Sequence, residues 1–196
     1  MKEIMMIGAG SVGGYFGAHL ARTYSNVSFV LRSKTRAAVA KNGLTIRSAI
    51  GESFTVHPPS ASNPQDLPQP DLIILGVKAY DLDEVMNQIE PIMKPETTLL
   101  TLQNGVTIED TLKMRFGRER VVGGVSFIYS KIVEPGVIDH FKKGLVTIGE
   151  LMGLETPRLL QIQALFKEAG IPCFLTEDIR KTKWEKMCWN CVFNPL

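Results

Sequence analysis

The sequence predicts an α/β fold, a doubly wound and mainly parallel sheet with helices on both faces. Three observations predict it. Short apolar runs suited to buried strands alternate with helical patterns along the chain. The first run leads directly into a glycine-rich turn, Gly8-Ala9-Gly10-Ser11-Val12-Gly13, which opens a helix. Two later runs, 71–77 and 97–102, each end in a short polar segment, where the strand ends of an open parallel sheet form a ligand crevice.

The elements follow in order. Residues 2–7 read as a strand, and a helix runs from the turn to Arg22. Residues 27–32 read as a second strand and 34–42 as a helix, stopped by Asn42-Gly43. Residues 44–50 and 53–57 fit a hairpin around Gly51, and the proline-rich stretch 58–70 reads as loop. The unbroken apolar run 71–77 is a buried strand, 80–93 a helix stopped by Pro95, 97–103 another buried strand, and 107–116 a helix. Residues 120–150 read as a strand followed by a meander, with turns at Glu134-Pro135-Gly136 and near Lys142-Lys143-Gly144. A helix over 155–169, a short strand over 172–175 and a helix over 178–194 complete the chain.

Composition narrows the function classes. A length of 196 residues suits one domain, or one domain and the start of another. Hydrophobic residues at 44% and charged residues at 21% are ordinary for a soluble globular chain. A net charge of +2 with no basic run implies no nucleic-acid partner, and no apolar stretch is long enough to span a bilayer. Five glycines between Gly8 and Gly17 argue against a signal-peptide helix, so a cytoplasmic protein is expected. The three cysteines do not suggest a disulfide framework. Cys188-x-x-Cys191 has redox or zinc spacing, but it lies within a helical pattern with no histidine close in sequence. It shares a helix face with Trp184 and Met187, which reads as core, and no metal is expected.

The glycine-rich turn carries the first chemistry. Gly8 permits the tight turn, Gly10 lets backbone approach a pyrophosphate, and Gly13 lets the helix pack on the strand. Ala9, Ser11 and Val12 complete the loop. The free N–H groups of the helix start then face the diphosphate. This is the fingerprint of a Rossmann-type dinucleotide site. At the end of the second strand, Leu31-Arg32-Ser33-Lys34 offers no carboxylate to hold a ribose 2′-hydroxyl. Arg32 can instead fork onto a 2′-phosphate, which points to NADP(H).

The other polar segments place Lys78 and Asn104 near the nicotinamide-ribose side. Singly, each has a plain alternative, a surface lysine and a turn-forming Asn-Gly. On the last helix, Lys186, Asn190 and Asn194 at i, i+4 and i+8 lie along one face. That stripe either hydrogen-bonds neighbouring backbone or faces a substrate.

Taken together, these motifs resemble the ketopantoate reductase (2-dehydropantoate 2-reductase) family. They are Gly8-x-Gly10-x-x-Gly13, Arg32, Val77-Lys78-Ala79, Gln103-Asn104-Gly105 and Lys183-Trp184-Glu185-Lys186-Met187-x-x-Asn190-x-x-x-Asn194-Pro195-Leu196. The resemblance implies NADPH-dependent reduction of 2-dehydropantoate to pantoate, on the route to pantothenate and coenzyme A. It implies Lys186 as catalytic proton donor, Asn190 and Asn194 as substrate contacts, Asn104 and Lys78 at the junction of cofactor and substrate, and Arg32 as receiver of the 2′-phosphate. It further implies an NADP-binding domain over 1–176 and, over 177–196, the first helix of a helical substrate domain whose remainder is absent. The expected partner is a small 2-oxo acid. The apolar faces of the last helix suggest packing on a second copy, a possible homodimer, or on more of the same polypeptide. Fold alone does not choose between a 2-oxo acid reductase, an NADP(H)-binding module of little activity, and a related dehydrogenase of hydroxy acids or sugar phosphates. The Lys186 helix favours the first over the third.

Overall fold

The computed structural model describes residues 1–193, without the side chain of Phe193. Its strands are β1 (Ile4–Ile7), β2 (Val27–Val30), β3 (Leu44–Ser48), β4 (Phe54–Val56), β5 (Ser60–Ala61), β6 (Leu72–Leu75), β7 (Thr98–Thr101), β8 (Val121–Glu134), β9 (Val137–Glu150) and β10 (Cys173–Leu175). They form one sheet in the order β4-β3-β9-β8-β7-β6-β1-β2-β5, with β10 paired to β9 off this path. The run from β8 through β7, β6, β1 and β2 to β5 is parallel throughout. β8 with β9, and β3 with β4, are antiparallel. The helices are α1 (Ser11–Thr23), α2 (Ser33–Asn42), α3 (Leu82–Ile89), α4 (Ile108–Phe116), α5 (Pro157–Glu168) and α6 (Ile179–Phe193).

The period-2 alternation of a strand sends neighbouring side chains to opposite faces. Ile4 and Met6 of β1, with Leu72 and Ile74 of β6, pack in one core with Phe16 and Leu20 of α1 and Ile162 and Phe166 of α5. Met5 and Ile7, with Ile73 and Leu75, pack in a second core with Val85, Met86 and Ile89 of α3 and Leu112 of α4. Both faces of the central strands are therefore covered, which is why they read as unbroken apolar runs.

Three expectations from sequence are corrected. The proline-rich stretch is not all loop: β5 adds an edge to β2, and a 3-10 turn spans Pro64–Asp66. Prolines are tolerated beside an edge, where the Pro59 and Ala61 carbonyls accept from Phe29 N and Leu31 N at 2.9 Å. Residues 120–150 form no meander but one long hairpin, β8 and β9, around the Pro135-Gly136 turn. The second turn signal, Lys143-Gly144, is a bulge: the register shifts between Phe127 and Ile128, and Lys143 (φ 62°) and Gly144 (φ 113°) absorb the irregularity. Last, Cys188 and Cys191 are exposed, and Trp184 keeps 51% of its surface. The stripe of α6 that is buried carries Ile179 and Lys183. Lys183 can be buried there because an ion pair with Glu109 meets it underneath, which a count of apolar residues does not foresee.

Candidate active site

The glycine-rich turn joins β1 to α1 as a cradle. Gly8 has φ 90°, and a Cβ there would lie 2.8 Å from Val77 Cγ1. A Cβ on Gly13 would stand 2.5 Å from the Gly8 carbonyl oxygen and 3.1 Å from Gly76 Cα, so α1 meets the end of β6 backbone to backbone. Gly10 differs. A Cβ there would find no protein atom nearer than Gly76 O at 3.7 Å. Gly10 caps α1 without a side-chain bond, so the first N–H groups of the helix carry no side-chain acceptor from it. A Cβ at Gly10 would therefore fit without a clash, and the opening there is faced by the positive end of a helix, as a diphosphate requires.

A cavity of about 430 Å³ opens from this cradle, lined by Gly8, Ala9, Gly10, Arg32, Lys78 and Asp81 among others. Arg32, at the N-cap of α2, is largely exposed and its Nη2 pairs with Asp81 Oδ1 at 2.7 Å. The end of β2 carries no carboxylate of its own, as read from sequence, but Asp81 brings one to Arg32 from the turn after β6. Lys78 lines this cavity with Arg32 and caps the 3-10 turn Ala79–Asp81.

Two further cavities, of about 250 and 410 Å³, share a wall formed by Asn104, Lys186 and Asn190. Val12 lines the larger of them, so the start of α1 reaches toward this wall while the Ser11 carbonyl accepts from Ser130 Oγ at 3.0 Å. Lys186 Nζ donates to Asn104 Oδ1 at 2.8 Å and to the Ser126 carbonyl at 2.5 Å, and lies 5.5 Å from the centre of the Phe127 ring. An ammonium has three N–H donors, so these two bonds leave a third for a ligand oxygen. Burial, followed by the charge of Lys183, lowers the Lys186 pKa from its ordinary value to about 8. The helical stripe seen in sequence is therefore partly assembled: Lys186 bonds Asn104 and Asn190 lines the same two cavities, while Asn194 lies outside the described residues. Met187 and Cys191, assigned from sequence to a different face, line the smaller cavity beside Asn190.

Beneath the wall lies a cluster that sequence reasoning missed. Lys183 Nζ pairs with Glu109 Oε1, both side chains being almost fully buried. Thr101 Oγ1, at the end of β7, donates to the same carboxylate at 2.5 Å, and Lys183 Nζ donates to the Gly105 carbonyl at 3.3 Å. Burial lowers the Lys183 pKa, with Glu109 working against that shift. The only hint in sequence is Lys183 one helical turn before Lys186; nothing couples position 109 to 183. The amide of Gln103, also buried here, has no hydrogen-bond partner among the described residues.

Comparison with known proteins places the fold in a family. A sequence model of the family described as ketopantoate reductase PanE/ApbA matches residues 4–153. A 2-dehydropantoate 2-reductase from Nostoc sp. is 32% identical over 202 residues, spanning all of this chain and 62% of that relative. The crystal structure of 2-dehydropantoate 2-reductase from Geobacter metallireducens GS-15 superposes with a TM-score of 0.92 at 37% identity, covering 98% of this chain and 64% of that one. D-mandelate dehydrogenase, solved with NADH and anilino(oxo)acetate, shares the fold with a TM-score of 0.85 at 24% identity. The chain spans less than two thirds of the length of each of these.

Proposed function

Because the chain belongs to the ketopantoate reductase family, we propose that it binds NADP(H) and carries the catalytic lysine for reduction of 2-dehydropantoate to pantoate, a step toward pantothenate and coenzyme A. In this reading residues 1–176 hold the dinucleotide and 177–196 begin the substrate domain. The observation that carries it is Lys186: a half-buried ammonium with a pKa near 8, fixed by Asn104 and Ser126, with one N–H left toward the cavities.

The residues of the cradle fit a dinucleotide. Gly8, Ala9, Gly10, Ser11, Val12 and Gly13 receive its diphosphate at the start of α1, and Arg32 receives the 2′-phosphate. When bound, the reduced nicotinamide supplies a hydride. Reduction of a ketone builds negative charge on its oxygen, and a cation aimed at that oxygen stabilises the charge and provides the proton. Lys186 does both. Asn104 holds the ammonium and, with Asn190, orients the 2-oxo acid; Asn194 is assigned the same task. Lys78, on the Arg32 side, serves the dinucleotide and not the substrate.

The test is NADPH oxidation with ketopantoate, measured on this chain and on one with the length of its relatives, beside a fluorescence titration of NADPH. Binding with ketopantoate-dependent turnover in the longer chain supports the reading. Binding without turnover in either leaves an NADP(H)-binding module. No binding at all would sink the proposal. Among the described residues no helix is long and apolar enough to cross a membrane.

A further inference from the structure

Lys186 and Asn104 come from different elements, α6 and the turn after β7, yet their bond must keep its geometry when a ligand enters. One buried side chain touches the supports of both. Lys183 sits three residues before Lys186, so the two rise from neighbouring positions on the same helix. Its ammonium donates to the carbonyl of Gly105, the residue that follows Asn104. It is also 3.5 Å from Thr101 Oγ1 at the end of β7 and paired with Glu109 on α4. A lysine is rarely buried to this degree without a partner, and here the partner is buried with it.

We propose that Lys183, held by Glu109 and Thr101, is a positioning residue for Lys186, fixing the Lys186–Asn104 bond in one frame and keeping a second positive charge behind the proton donor. This rests on the reading of Lys186 as that donor. The frame follows from the contacts: α6, α4, β7 and the Asn104-Gly105 turn all meet at one ammonium. The charge follows from proximity, since the Lys183 cation disfavours the charged form of Lys186 and so makes its proton easier to give.

A plain structural role would pin α6 to the sheet and nothing more. An apolar or neutral pair of similar size commonly replaces a buried ion pair without loss of fold. The two roles therefore separate on what happens to Lys186. The groups facing Lys186 are few. α6 contributes Lys183, with Glu109 of α4 behind it; β9 contributes Lys143, whose Nζ lies 5.7 Å from the Phe127 ring that Lys186 also faces. β8 offers the Ser126 carbonyl and Phe127, and the turn after β7 offers Gln103 and Asn104, all uncharged.

The experiment is competitive acetylation with acetic anhydride across pH 6–11 (about the range a lysine titrates in), read at Lys186 by peptide mass spectrometry. It compares the wild-type chain with K183M, K183R and the double variant K183M/E109Q, each checked for folding by circular dichroism. K183M strands the Glu109 carboxylate; the double variant leaves no unpaired charge and keeps the test valid if K183M misfolds. The midpoint for Lys186 should rise by about one pH unit or more in K183M, as expected for loss of a unit charge within about 12 Å at an effective dielectric near 20, and by less in the double variant, where the opposing charge of Glu109 is removed as well. K183R, which retains the charge, should stay near the wild-type midpoint. An unmoved midpoint in folded K183M, or, should that variant misfold, a double variant whose midpoint does not rise at all, would overturn the proposal. The labelling needs no substrate, so its outcome is separate from the reductase assay. A shifted midpoint without ketopantoate turnover sinks only the proposed function; turnover with an unmoved midpoint sinks only the role of Lys183.

Discussion

Arg32 gives the sharpest prediction, because the structure sets two opposing terms against each other there. Its guanidinium is largely exposed and already pairs with Asp81. A 2′-phosphate must compete with that pair. Charge-assisted hydrogen bonds to a phosphate contribute about 1.5–3 kcal/mol, while giving up an exposed ion pair costs only about 0.2–1 kcal/mol. The phosphate should win, and by more at low salt, since both terms are screened. Arg32→Ala removes the favourable term and leaves Asp81 facing the phosphate. NADPH affinity should fall by about 10- to 150-fold, toward the lower end because the site is open to solvent, while NADH affinity changes little. Asp81→Asn acts in the other direction. It frees Arg32 and removes a negative charge, so NADPH should bind about 1.4- to 5-fold more tightly, from the same ion-pair cost. The assay is a nicotinamide fluorescence titration with both cofactors at two salt concentrations. Equal affinities for NADPH and NADH in the wild-type chain, or a ratio unchanged by Arg32→Ala, would refute the assignment of Arg32. Weaker NADPH binding in Asp81→Asn would show that Asp81 positions Arg32 for the phosphate instead of competing for it.

Other predictions follow the same residues. Gly10→Val should leave the fold intact by circular dichroism, because a Cβ there meets protein only at the ordinary contact distance of 3.7 Å, yet calorimetry should detect no NADPH binding. Gly13→Ala should instead cost about 1–3 kcal/mol in a urea melt, since its methyl meets the Gly8 carbonyl oxygen and the Gly76 backbone, neither of which can turn aside. Lys186→Ala should lower kcat for ketopantoate by roughly 10²–10⁴ with NADPH affinity nearly unchanged. With Lys186 intact, kcat/KM for reduction should be flat at acid pH and decline with a midpoint near 8, because a lysine acting as proton donor is lost as pH rises through its lowered pKa in the free protein. A rate that climbs through that range would mean Lys186 acts as a base or not at all.

How far the sequence determined this protein can be judged residue by residue. The buried strands were legible because both faces of β1, β6 and β7 are covered, which forces unbroken apolar runs. Gly8 and Gly13 were legible because a turn with φ 90° and a backbone-to-backbone crossing admit little else. Lys186 and Asn190 were legible as one stripe because helical spacing is a local property. What tertiary structure alone decided is every pairing between distant positions. Asp81 reaches Arg32 across 49 residues, and Glu109 reaches Lys183 from a helix on another part of the sheet. Lys78 joins the cavity beside Arg32 because it caps the 3-10 turn Ala79–Asp81. The bulge at Lys143 shows the converse: a local signal that suits a turn was absorbed into a hairpin because 14-residue strands on either side of Pro135-Gly136 keep pairing past it. Local periodicity records which face is buried. It does not record which charge waits on the other side, since an ion pair depends on distance in space, and that distance exists only after the sheet has closed.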